Sequence, residues 1–99
     1  MQKLFYAALI AAFTAPVAQA GAIESACLSS GRKGVSRAMC GCIQDAADLT
    51  LNRGDQRLAA TFFRDPHKAQ EIRQSDNRGH EAFWLRYKAF GTAAETFCR

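Results

Sequence analysis

The chain has 99 residues, with 13 Lys and Arg against 9 Asp and Glu, a formal net charge of +4, and 4 cysteines. That length holds one small domain and no second one. The charges alternate in sign, as in Arg53-Gly54-Asp55-Gln56-Arg57, Arg64-Asp65 and Glu71-Ile72-Arg73. They read as solvated faces of amphipathic helices and give no support to a nucleic-acid groove.

Residues 1–20 read as a secretory signal peptide. Met1-Gln2-Lys3 is a short positive n-region, Leu4 to Phe13 is an unbroken apolar run, and Thr14-Ala15-Pro16 breaks it. Ala18-Gln19-Ala20 supplies small residues at −3 and −1, which predicts cleavage after Ala20 and Gly21 as the new first residue. The apolar run is about half of the roughly 20 residues that span a bilayer, so a permanent anchor is disfavoured. The residue directly after the cleavage site is Gly21 and not a cysteine, and a lipid anchor is not expected. Cleavage removes Lys3 and leaves a mature charge of +3, 12 basic against 9 acidic residues, with no transmembrane segment.

Residues 21–34 (GAIESACLSSGRKG) are rich in Gly, Ser and Ala and read as an irregular arm held at Cys27. The helical domain is expected over 35–99. Val35, Met39, Cys42, Ile43, Ala46 and Leu49 recur at three- and four-residue steps on one helical face, with Ser36 as a cap. Asn52 reads as the N-cap of a second helix, Asp55 as an acidic residue in its first turn, and Leu58, Ala59, Phe62 and Phe63 as its apolar stripe. Asp65-Pro66 is a restart signal, because proline is preorganised for the first helical position. The short helix that follows offers Ala69 and Ile72 to a core. After the polar connection 75–79, a last helix is expected from about His80 to Phe97, with Phe83, Tyr87, Phe90, Ala94 and Phe97 on one face. The predicted fold is all-α, a small disulfide-stapled bundle of three to four helices.

Four cysteines in an exported domain of this size read as two disulfides. Cys40 and Cys42 are two apart, about 200° around a helix, so each needs a distant partner. Two connectivities satisfy that condition. Cys42 shares the stripe of Met39 and Ile43, and Cys98 borders the stripe of the last helix; Cys40 lies on the flank, within reach of the arm carrying Cys27. This favours Cys42–Cys98 with Cys27–Cys40 over Cys27–Cys42 with Cys40–Cys98. Chain entropy assigns roughly 3 kcal/mol to the shorter loop and about 4 kcal/mol to the longer.

No residue pattern specifies a reaction, and the chain is not expected to be an enzyme or to carry a cofactor. Cys40-Gly41-Cys42 with Met39 offers soft ligands, which keeps metal or thiol handling as an alternative. His67 and Glu71 stand one helical turn apart, but a zinc site wants three or four ligands. Trp84, with Lys88 and His80 on the same helix, is the candidate partner-binding group, since a half-exposed Trp beside charge can anchor a partner. The partner itself, protein or small molecule, is not named by the sequence.

The stretches Gly54–Ala60, Phe62–Asp76, His80–Trp84 and Arg86–Phe90, together with Cys40-x-Cys42-Ile43-Gln44, carry a resemblance that covers nearly all of the mature chain. They resemble a group of small exported bacterial proteins that carry the automatic name "arginine transporter". The resemblance implies a periplasmic location and brings no binding residues with it. A mature domain without a spanning segment moves no solute across a bilayer by itself, so the name fits only an accessory to amino-acid uptake.

Overall fold

A computed structural model describes residues 21–99, and the segment read as a signal peptide lies outside them. Five helices follow one another: α1 (Ala22–Leu28), α2 (Arg37–Thr50), α3 (Arg53–Arg64), α4 (Pro66–Arg73) and α5 (Arg78–Phe97). No strand occurs among the described residues, and none of their helices is long and apolar enough to cross a membrane.

The boundaries follow from local chemistry. Ser36 starts α2, its hydroxyl accepting from the Met39 N–H at 3.1 Å. Asn52 and Asp55 form a reciprocal capping box at the start of α3, with Asn52 Oδ1 accepting from the Asp55 N–H at 2.8 Å and Asp55 Oδ2 from the Asn52 N–H at 3.3 Å. Asp65 alone separates α3 from α4: the ring of Pro66 drives it out of helical geometry, to φ −139° and ψ 85°. Its carboxylate makes no capping hydrogen bond, so proline at the first helical position is the operative start signal. Asn77 caps α5 by accepting from the His80 N–H.

The core gathers Ile23 of α1, Ala46 and Ala47 of α2, Leu51 at the end of α2, Ala59 and Phe62 of α3, Ile72 of α4, and Phe83 and Phe90 of α5. Phe62 lies edge-on to Phe83 and Tyr87, at centroid distances of 6.0 and 5.2 Å, an arrangement favoured by the ring quadrupoles. Burial pushes the Tyr87 hydroxyl above its ordinary pKa, against a smaller opposing effect of the Arg32 charge.

Three expectations need correction. The arm at 21–34 is not irregular throughout: Ala22–Leu28 is helical, and Ile23 is fully buried. A seven-residue helix is marginal alone, so α1 depends on packing against α2 and α3 and on the Cys27 bridge. The rest of the arm turns at Gly31 and Gly34, whose φ values of 71° and 82° favour glycine.

The buried side of α2 is also rotated from the expected stripe. Cys40, Gln44 and Ala47 face inward with Ala46, whereas Leu49 is 75% exposed. Gln44 is polar and stands off the apolar stripe, yet it is buried, because α1 covers the face of α2 that carries it. At the far end of α5, Phe97 continues the spacing of the aromatic face but is 67% exposed.

Candidate functional site

Both disulfides have the favoured connectivity: Cys27–Cys40, with Cα atoms 5.6 Å apart, and Cys42–Cys98, 5.7 Å apart. The burial is the reverse of the expected one. Cys40 is fully buried and Cys27 nearly so, while Cys42 and Cys98 are half-buried. No described cysteine is free, so Cys40-x-Cys42 presents no dithiol.

A polar seam joins α1, α2 and α3. The N-cap of α1 is Gly21, which has no side chain to satisfy the first turn. Gln44 of α2 performs that role from outside the helix, its Oε1 accepting from the Glu24 N–H at 2.9 Å. Its Nε2 donates to Asp48 Oδ1 at 2.8 Å and to Gln56 Oε1 at 2.7 Å, and Gln56 Nε2 donates to Asp48 Oδ1 at 3.1 Å. The buried amide is thereby fully engaged, as burial of a polar group demands. Gly21 lies so close to this amide that an added Cβ would meet Gln44 Oε1 at 2.3 Å.

The seam forms the floor of an open cleft of about 670 Å³. Glu24, Asp45 and Asp48 line it alongside Arg53 and Arg57, which puts carboxylates of α1 and α2 across from guanidinium groups of α3. A cleft carrying both signs of charge on a hydrogen-bonded, preorganised floor matches a small ligand that itself carries both signs.

A second polar element fastens α3 to α5. Asp55 is buried, and Arg86 reaches it with Nε at 2.6 Å from Oδ2 and Nη2 at 3.0 Å from Oδ1, a bidentate pair. The hydrogen bond from Arg86 holds the Asp55 carboxyl below its ordinary pKa, against the opposing effect of burial, and the same bond raises that of Arg86. The sequence identified Asp55 as an N-terminal acid of α3 and gave no sign of its partner 31 positions away.

Trp84, Lys88 and His80 stand on α5 at four-residue intervals and do not line the cleft. Trp84 is half-buried against Tyr87, its ring centroid 5.0 Å away, and Lys88 is exposed. His80 Nδ1 lies 2.7 Å from the Ser75 hydroxyl, an interaction that fixes the turn before α5. His67 and Glu71 approach to 3.7 Å on an exposed surface. No group of three or more His, Cys, Asp or Glu among the described residues is arranged to hold a metal ion. Sequence reasoning missed the cleft; its residues carry no signal beyond a polar Gln44 between Ile43 and Asp45 within a helical segment.

No family model, no curated protein and no solved structure matches the chain.

Proposed function

We propose that this is an exported, periplasmic binding module, cleaved after Ala20, whose ligand site is the charged cleft between α1, α2 and α3. Export is supported by the architecture of residues 1–20 and by two disulfides in so short a mature chain. The observation that carries the site is the cleft rim, with Glu24, Asp45 and Asp48 set against Arg53 and Arg57 over the Gln44 amide. A free amino acid or a similarly amphoteric small molecule fits that pattern, since each of its charges meets the opposite sign. This agrees with the accessory role in amino-acid uptake that the resemblance implies. Removal of residues 1–20 would also place the Gly21 ammonium group at the rim of the cleft, within the acidic half of its field.

The test is a heteronuclear NMR titration of the mature protein with L-arginine and, separately, with glycine. The expected result is saturable shifts confined to amides of the cleft, from Ala22 and Glu24 to Asp45, Asp48 and Arg57, and their loss in Asp45→Asn/Asp48→Asn. Shifts scattered over α5, or none at millimolar ligand, overturn the reading.

A further inference from the structure

The two disulfides are chemically identical and lie in opposite environments. Cys27–Cys40 is sealed between α1 and α2, with Cys40 at 0% exposure. Cys42–Cys98 is half-buried and forms part of the wall of a groove of about 250 Å³ shared with Ser36, Met39, Phe97 and Arg99. The only charged side chain on that wall is Arg99, whose Nε donates to the Glu95 carbonyl at 3.3 Å and is thereby held beside the last turn of α5.

We infer that Cys42–Cys98 is a thiol–disulfide exchange site, open to a dithiol reductant while the fold stays intact, and that Cys27–Cys40 is not. Exchange requires an attacking thiolate to reach a bridge sulfur, so access controls the rate at each bridge. The attacking thiolate forms a new S–S bond to one sulfur of the bridge. The Cys42–Cys98 bond breaks, and its electron pair stays on the departing sulfur, which takes a proton from solvent. The second thiol of the dithiol loses its proton and attacks the mixed disulfide. The bridge ends as two thiols, and the reductant ends as a cyclic disulfide. Opening does not by itself detach α5. Its earlier turns remain held by the Asp55–Arg86 pair and by buried Phe83 and Phe90, and α1 remains tied to α2 through the other bridge. What opening releases is the end of α5 that carries Phe97.

The experiment treats the mature, fully oxidised protein with limiting dithiothreitol in native buffer, alkylates at intervals, and maps the labelled cysteines by mass spectrometry. The expected result is labelling of Cys42 and Cys98 about tenfold or more faster than Cys27 and Cys40, as access-limited exchange requires. Far-UV circular dichroism should keep its helical signal at the stage where two thiols are free. Labelling of all four cysteines together would show that exchange goes through global unfolding, and labelling of Cys27 and Cys40 first would show that burial does not protect them; either overturns the inference. A Cys42→Ser/Cys98→Ser variant supplies the control. Its remaining bridge should resist the same treatment, and opening as fast as Cys42–Cys98 does in the wild type would also overturn it.

Discussion

The end of the bundle built from α1 and α2 and the end where α5 meets α2 are each closed by one disulfide, and they are built on different principles. At the first, the bridge is a core component: Cys40 and Ile23 are fully buried, and Gln44 satisfies the start of α1 from the neighbouring helix. At the second, the bridge is a latch on the surface, with Phe97 exposed beside it and no comparable polar seam. Loop length alone ranks the second bridge as the stronger, since it closes a separation of 56 residues against 13. Packing reverses that ranking, because buried sulfur atoms leave a void when removed and half-exposed ones let water in.

The largest expected effect tests that reversal. Cys27→Ala/Cys40→Ala should cost about 5 kcal/mol, loop entropy and lost packing together, against about 4 kcal/mol for Cys42→Ala/Cys98→Ala. Urea unfolding of both variants measures it, and a clearly larger loss for the second pair would mean that loop length outweighs burial here. Next comes Ile23→Ala, expected to cost about 3 kcal/mol from a fully buried site. Leu49→Ala and Phe97→Ala, at exposed positions, should each stay within about 0.5 kcal/mol. Equal losses at Ile23 and Phe97 would erase the distinction between the two ends.

The Asp55–Arg86 pair sharpens the comparison, since it is a polar fastening that α5 has apart from its latch. Arg86→Met should cost about 2 kcal/mol, because Asp55 is left buried without its donor. The pH dependence has a definite sign. The folded-state pKa of Asp55 lies below its unfolded value near 3.9, so the stabilisation is fully present above that value and is lost as pH falls through the folded pKa. Thermal melts of the wild type should therefore fall below about pH 4 more steeply than those of Arg86→Met. A smaller effect than that of Arg86→Met is local: Asn52→Ala should cost about 1 kcal/mol through loss of the α3 capping box, measured by the same unfolding curves.

Much of this architecture was legible in the residues. Ser36, Asn52, Pro66 and Asn77 mark helix starts through side-chain chemistry that acts within a few positions, and the sequence shows those distances directly. Phe62, Phe83 and Phe90 follow helical periodicity into the core for the same reason. The two-residue spacing of Cys40 and Cys42 disfavours their direct union on a helix and leaves two pairings; the preference between them rests on Cys42 facing the core, whereas in the structure Cys40 does. That error and the missed α1 have one origin. The seven residues of α1 are too few to be helical alone, and only packing against α2 and α3 makes them so.

The candidate site was less legible than the fold. Gln44 is a single polar residue on the buried face of α2, and its three partners, Glu24, Asp48 and Gln56, come from α1, α2 and α3. The carboxylates and guanidinium groups of the cleft are spread from Glu24 to Arg57 among charges that all read alike as solvated.

By itself, then, the sequence determined what depends on near neighbours: the helix starts, the apolar periodicity and the all-helical class, and it narrowed the cysteine pairing to two alternatives. The tertiary structure alone decided which face of α2 is covered, which bridge is sealed, where Arg86 finds Asp55, and which charges share a cleft. Those outcomes depend on how helices distant in sequence pack together, and burial and electrostatics take their magnitude from that packing.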